Sequence, residues 1–578
     1  MIRLAARAAA GLTVFAPLVT LVATVLTLAP ATVAGQSVRP VTDARLENPE
    51  PANWLSYRGD YNGWGYSALD QIDASNVDEL RPVWAFSTNA TGGHESPPIV
   101  NDGVMYITTP GNQVYALDAK TGDMLWRYRH ALPQDRIAFH DTNRGVALLG
   151  DKVYTATLDA RVVALDAESG DVVWNTSVAD NSAGYYMTLA PLAARGKIMV
   201  GVSGGELGIR GFVVALDAET GEEVWRTYTV PGPGEPGNDT WPGDSWRTGG
   251  AAVWITGHYD PELGLTYWGT GNPGPWIGDQ RPGDNLYTNS VIALAVDTGE
   301  LVTHHQYHWN GSWDWDEVST PLLIDVERDG RTIPSLVHPG RNGYLWILER
   351  EAEAIRFVAA EPFVRQNVFT SLDPETGRPT YNEDRKPGTN KPAEFCPSLW
   401  GGKDWPPAAY SPQTGLLYIP ANENLCGTSV GDDVEYQPGR SFTGASTTMT
   451  VAPGADHIGE LQAWDLNSGQ RVWTQEFASQ NWGPVLATGG GLVFAGGTED
   501  RFFRAFDAST GQVLWEQRTN SGVIGVPSTY EVDGVQYIAV QSGWGVDAAA
   551  MGRRLDGLQG TSDFVPQGGV VWVFALDR

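Results

Sequence analysis

The chain has 578 residues, 42% of them hydrophobic and 18% charged, which supplies a large core and argues against a disordered or fibrous protein. Its 68 acidic against 38 basic residues leave a formal charge of −30, which repels phosphate backbones and anionic headgroups and argues against nucleic acid as a partner. Two cysteines cannot build a Cys-rich zinc cluster, and no Cys-x-x-Cys-His run is present to attach a haem, so any redox chemistry needs another cofactor.

In chain order, the first predicted element is a leader. Arg3 and Arg7 precede an apolar stretch from Ala8 to about Leu28, and Thr32-Val33-Ala34 forms a small-residue cleavage site before Gly35-Gln36. Residues 1–35 read as a secretory signal peptide, leaving residues 36–578 as a single domain. An uncleaved anchor helix is the alternative, because the stretch is long enough to span a bilayer. Losing the two arginines takes the formal charge from −30 to −32. No later segment is apolar enough to span, so the expectation is a periplasmic or secreted protein without stable membrane insertion after cleavage. In that compartment Cys396 and Cys426 can form one disulfide.

A phrase then recurs. Ala116-Leu-Asp-Ala-Lys-Thr-Gly122 ends at Trp126, and copies starting at Ala164, Ala215, Ala463 and Ala505 end at Trp174, Trp225, Trp473 and Trp515. Each copy predicts an apolar strand, an Asp and Ser/Thr-Gly turn, and a second strand closing on Trp. The closing tryptophans are separated by 48 (126 to 174), 51 (174 to 225) and 42 (473 to 515) residues, the length of a four-stranded propeller blade. Asn76 to Trp84 is a weaker first copy, Ala293 to Gly299 a fifth, and Gly343 to Glu349 the start of a sixth. The 68 glycines and 23 tryptophans agree with many tight turns and aromatic anchors. The predicted fold is all-β, an eight-bladed β-propeller whose last strand, Val570 to Leu576, pairs with residues near Trp54 to Tyr57. Pro231 to Asp244, Thr370 to Glu394 and Gly427 to Asp456 break the rhythm and read as long loops.

Four polar groupings are not needed for packing blades. Ser203-Gly204-Gly205-Glu206 combines a close backbone approach with a carboxylate, though a solvated Gly-rich bulge reads equally well. Gly269-Thr-Gly271-Asn272 can present an amide oxygen to a hard cation, or simply turn the chain. Trp313-Asp314-Trp315-Asp316 puts two carboxylates on one face if it is a strand, and both are costly to bury without a cation. His338-Pro-Gly-Arg341 offers a planar guanidinium for two neighbouring oxygens, or for a structural salt bridge. Three carboxylates and an amide form an oxygen shell for a hard ion. His304, His305 and His308 lack the Cys or fourth His that a transition-metal site would need.

With these residues in place, the sequence resembles the pyrroloquinoline-quinone (PQQ) dependent alcohol dehydrogenases, from Asn53-Trp-Leu-Ser-Tyr-Arg58 to Gly568-Gly-Val-Val-Trp-Val-Phe574. The Ala-x-Asp-x-x-Thr/Ser-Gly-x-x-x-Trp phrase is similar to that family's tryptophan-docking motif, and the four groupings fall in the family's order. The resemblance implies PQQ and one metal ion near the axis of an eight-bladed propeller. Glu206, Asn272 and Asp314 resemble the metal ligands, Asp314 also the catalytic base, and Arg341 the arginine that bonds the quinone oxygens. Trp254 resembles the floor on which PQQ stacks. Glu95, Arg144, Thr188 and Ser203, with Gly204 and Gly205, match positions around the cofactor's carboxylates and ring edge, as do Asp404 and Trp482. Cys396 and Cys426 match a structural disulfide.

Two departures stand out. Many relatives have adjacent cysteines over the second face of PQQ, where this chain has Phe139-His140, and Asp404 stands where relatives commonly have Asn. Asp316 makes an Asp-x-Asp similar to lanthanide-using members, and Gly205 beside Glu206 has the same likeness. A third carboxylate suits a trivalent ion, a stronger Lewis acid, so a lanthanide is favoured over calcium. The implied activity is oxidation of an alcohol substrate to an aldehyde or ketone, with electrons passed to a soluble cytochrome c or similar acceptor. The alternatives are a PQQ-dependent sugar or polyol dehydrogenase and, in another class, a cofactor-free propeller scaffold. Substrate identity and oligomeric state are not legible.

Overall fold

The structure is a computed structural model that describes residues 38–559 and 564–577; the expected leader, residues 1–35, lies outside them. Among the described residues, eight sheets each contain four antiparallel strands, consecutive in the chain in six of them, and one of these six adds a short parallel strand. The recurring phrase forms the same part of its sheet each time. Gln113–Asp118 pairs with Met124–Arg129, placing Ala116 opposite Trp126, and Ala164, Ala215, Ala463 and Ala505 likewise face Trp174, Trp225, Trp473 and Trp515. In the first turn Asp118 Oδ1 accepts from the backbone N–H groups of Lys120 and Thr121, both at 2.9 Å. This Asx-type closure is why Asp begins each turn.

The same tryptophans join one sheet to the next. Trp126 Nε1 donates to Ala167 O at 3.0 Å, Trp174 to Ala218 O at 3.0 Å, Trp225 to Val296 O at 3.1 Å and Trp473 to Ala508 O at 3.1 Å. Trp84 reaches Ala119 O at 3.3 Å, and Trp515 reaches back to Leu80 O at 3.0 Å. Each ring buries its face on the neighbouring turn while its one polar atom finds a carbonyl. Where no tryptophan is available, Arg328 Nη2 donates to Leu466 O at 3.1 Å.

The closing pair differs from the expectation. Val570–Leu576 pairs antiparallel with Leu80–Ser87, and Trp54 instead exchanges backbone hydrogen bonds with Val100 at 2.9 Å. Leu80–Ser87 carries Trp84, so the first tryptophan strand becomes the outer strand of the last sheet. Two expected loops are also partly strands. Phe369–Leu372 and Pro379–Tyr381 form a hairpin whose Asp373-to-Gly377 turn repeats the Asx closure and packs on Phe357. Ala393–Phe395, Leu425–Gly431 and Ala445–Val451 make a three-stranded sheet, tied at its edge by the Cys396–Cys426 disulfide. Pro231 to Asp244 has no strand.

A 14-residue helix, Val546–Gln559, was not predicted. It buries Ala548, Met551 and Leu555, an i, i+3, i+7 stripe, against Trp482 and Trp544. No helix among the described residues is long and apolar enough to cross a membrane.

The contribution of docking can be isolated at two glycines of similar backbone. Gly170 has φ +75° and a Cβ there would lie 2.6 Å from the Trp126 ring, whereas Gly196 at φ +68° has no atom within 4 Å of that position. Gly196→Ala is expected to cost about 1 kcal/mol, the left-handed strain alone. Gly170→Ala is expected to cost about 2 kcal/mol more. Denaturant midpoints of the two variants test this, and equal midpoints would refute the docking account.

Candidate active site

The four polar groupings do come together. Glu206, Asp314, Asp316 and Arg341 line one cavity of about 220 Å³ with Arg144, Thr188, Ser203, Gly204, Trp254 and Asp404. Glu206 sits in the short 3-10 turn Gly205–Leu207. A Cβ at Gly204 would lie 2.2 Å from Gly184 O, so only glycine permits this approach. Gly271 answers the same need, because a Cβ there would lie 2.7 Å from Asp316 Oδ1. The neighbouring Asn272 donates its backbone N–H to that carboxylate.

Trp313 to Asp316 is not a strand, contrary to the condition under which its two carboxylates would share a face. Asp314 instead adopts φ +62°. The flanking rings of Trp313 and Trp315 stack at 5.0 Å, with Nε1 atoms donating to Arg385 O and Ser398 O, each at 2.8 Å. Anchoring both indoles leaves the turn to direct the carboxylates into the cavity. The left-handed residue is Asp rather than Gly, a cost that aspartate tolerates better than most side chains.

Arg341 is fixed from its backbone. Its N–H and that of Asn342 donate to Glu317 at 3.0 and 3.1 Å, and Glu317 is also bonded to His338 Nε2 at 2.8 Å. Burial pushes Glu317 up, but bonds from His308 and His338 outweigh it and hold the carboxyl down to about 2. The Arg341 guanidinium pairs with Asp404 and lies 3.5 Å from Asp316. Asp316 also accepts from Trp254 Nε1 at 2.8 Å.

A second charged group lies alongside. Arg144 is 4.9 Å from the centres of both the Trp254 and Trp405 rings, donates to Thr188 Oγ1 at 2.8 Å and pairs with Glu95 at 2.9 Å. Thr188 and Ser203 hydroxyls lie 3.0 Å apart. Glu95, Gly205 and Trp482 stand behind the cavity wall, and Asn272 abuts it, with its Oδ1 3.9 Å from the position of a Cβ on Gly205. Trp482 directs its Nε1 at Met551 Sδ, 3.4 Å away, within an apolar cluster that includes Trp405.

Sequence reasoning missed several wall residues, among them Tyr186, Trp400 and Asp547. Asp547 carried a readable signal, an acid in the first turn of a helix. Glu317 was equally readable as a third acid beside Asp314 and Asp316. The three histidines do not converge: His305 packs against Tyr307 and Trp346, while His308 faces Glu317 at 3.5 Å.

Charge decides what this site can hold. Burial, reinforced by Asp316, pushes the Glu206 carboxyl up to about 7. Burial lifts Asp314 well above its usual range and Asp316 also upward, with Arg341 opposing both. Burial likewise pushes Glu95 up to about 7 against the pull of Arg144. The carboxylates of Glu206, Asp314 and Asp316 share the cavity without all meeting within 4.8 Å, and Arg341 is already committed to Asp404. This surplus of oxygen charge fits a hard cation. The broad Trp254 face and the glycine-lined approach at Gly204 fit a flat anionic group beside it, with Arg144 available to its carboxylates.

Burial favours the protonated Glu206 carboxyl in metal-free protein, so a cation bound there would compete with that proton. Titrating lanthanum into metal-free protein is therefore expected to release more protons at pH 6 than at pH 8, and Glu206→Gln should remove most of the difference. Calorimetry in buffers of different protonation enthalpy measures this; equal release at both pH values would refute it.

Comparison with known proteins agrees with this geometry. The PQQ family described as glucose/ethanol/alcohol dehydrogenase, β-propeller domain, matches residues 54–362 and 455–538. The chain is 39% identical over 563 residues to the quinoprotein alcohol dehydrogenase PedH of Pseudomonas putida, covering 92% of this chain and 93% of the relative. It is 38% identical over 527 residues to a lanthanide-dependent methanol dehydrogenase of Methylacidiphilum fumariolicum, covering 86% and 85%. Among solved structures, a europium-containing methanol dehydrogenase superposes with a TM-score of 0.87 at 36% identity, covering 92% of this chain and 100% of that one. With the match spanning most of the chain, the chain belongs to the PQQ-dependent quinoprotein alcohol dehydrogenases.

Proposed function

We propose that this protein oxidises an alcohol to an aldehyde or ketone outside the cytoplasm, using PQQ and a lanthanide ion and passing electrons to a separate cytochrome c-type acceptor. The observation that carries the reading is the gathering of half-buried Glu206 and Asp314 with buried Asp316 and Arg341 in one cavity beside Trp254. The eight sheets of four or five strands are read as the blades of an eight-bladed propeller, residues 36–578, with the tryptophan bonds as its docking contacts. The Cys396–Cys426 disulfide supports an oxidising compartment, and with it the reading of residues 1–35 as a signal peptide.

Glu206, Asn272, Asp314 and Asp316 would hold the metal ion. Trp254, Arg144, Thr188, Ser203, Gly204, Arg341 and Asp404 would hold PQQ, supported from behind by Glu95, Gly205 and Trp482. When bound, the quinone with its metal supplies an electrophilic acceptor for hydride. Asp314 takes the hydroxyl proton, so the alcohol loses one proton to the protein and two electrons with the hydride. Arg341, kept charged by Asp404, Asp316 and Asp314 despite burial, donates to oxygen on which negative charge develops. Its backbone anchorage to Glu317 spares the guanidinium reorganisation during the reaction. Lanthanide is preferred because Asp316 adds a third carboxylate to the shell.

Asp314→Asn should lower dye-linked alcohol oxidation by about 10²- to 10⁴-fold while PQQ absorbance stays with the protein; full activity would remove Asp314 from the base role. Asp316→Ala should lose activity supported by lanthanum. If lanthanum and calcium support the wild type equally, and the variant behaves the same, Asp316 plays no part in metal choice.

A further inference from the structure

The reaction described above leaves one polar pair of the cavity wall without a role. His140 and Asp547 both line it, one from the segment after Phe139 and the other from the first turn of helix Val546–Gln559. Their nearest atoms, His140 Nε2 and Asp547 Oδ2, are 4.0 Å apart, and the two side chains are 34% and 41% exposed. That separation is too long for a direct hydrogen bond. It suits a single oxygen placed about 2.8 Å from each. His140 Nδ1 is shut away from solvent without a hydrogen-bond partner. Among the described residues no lysine or arginine pairs with Asp547.

The chemistry of this pair selects what can sit between its members. An alkyl tail pressed there would strip water from a carboxylate and return nothing. A hydroxyl donates to the carboxylate and, through its lone pairs, accepts from an imidazole N–H. The neighbouring walls of Phe139, Leu399 and Trp400 suit the carbon atoms of the same molecule. Resting on the alcohol-oxidising function proposed above, we propose that His140 and Asp547 form a subsite for a second hydroxyl group, and that the preferred substrates are diols or larger polyols rather than simple alkanols.

The subsite is a claim about selectivity, so a ratio tests it. The holoenzyme, loaded with PQQ and lanthanum, is assayed by dye-linked oxidation of 1,2-propanediol, 1,3-propanediol and 1,4-butanediol against 1-propanol and 1-butanol. At least one diol should exceed its matched alkanol in kcat/KM. In Asp547→Ala that preference should fall by about 10- to 100-fold, carried by the diol. Asp547→Asn keeps an acceptor oxygen in the same place and should retain more of the preference. His140→Gln provides a second variant on a different segment and should also lower the ratio. Alkanols preferred over every diol in the wild type, or a ratio unchanged in Asp547→Ala and His140→Gln, would overturn the subsite while leaving alcohol oxidation standing. Failure to oxidise any alcohol would overturn the parent reading as well.

Discussion

Carboxylates crowded into one cavity are expensive, each costing several kcal/mol to remove from water unless opposite charge meets it. Glu206, Asp314, Asp316 and Asp404 share such a cavity, and Arg341 is the cation that faces the last three. One guanidinium cannot balance that set. The raised pKa values of Glu206, Asp314 and Asp316 express the same imbalance, relieved by protons when no metal is bound. A hard cation would relieve it without protons and, under the proposed function, would leave Asp314 able to accept one from a substrate. On that proposal the need for a cation and the capacity for proton abstraction come from a single arrangement of charge.

The scaffold is what keeps that arrangement from relaxing. Six tryptophans each fix one sheet to a neighbour through an indole bond, and Trp515 carries the contacts back to Leu80. Closer in, Trp313 and Trp315 clamp a turn whose middle residue is left-handed, and Glu317 holds the backbone of Arg341 with help from His338. These groups do not enter the cavity. They set where the reacting side chains can point, which is the condition for electrostatic preorganisation.

Much of this was legible because it repeats or because it clusters. The Asp-to-Trp phrase has a period, and the period alone implied four-stranded units. It failed where the side chain changed but the contact persisted: Arg328 replaces a docking tryptophan, and Phe357 supports the Asp373 turn inside a segment read as a loop. The closing strand was misplaced because Trp54 and Trp84 look alike in sequence, and only Trp84 lies on a strand long enough to pair with Val570–Leu576. In the site, Glu206, Asp314, Asp316 and Arg341 were found as polar residues that packing does not require. Glu317 was missed although it stands as a third acid beside Asp314 and Asp316, and Asp547 because the helix it opens was not read from the sequence. Trp482 matched a family position, yet its place is behind the cavity, supporting Trp405.

The central claim is that the acidic shell, Asp316 included, is matched to a trivalent ion. The most direct measurement loads metal-free protein with PQQ in the presence of equal calcium and lanthanum, then determines the metal retained per chain after gel filtration. The account predicts about one lanthanum per chain and little calcium. Retention of calcium in preference to lanthanum, or of neither metal alongside bound PQQ, would contradict it.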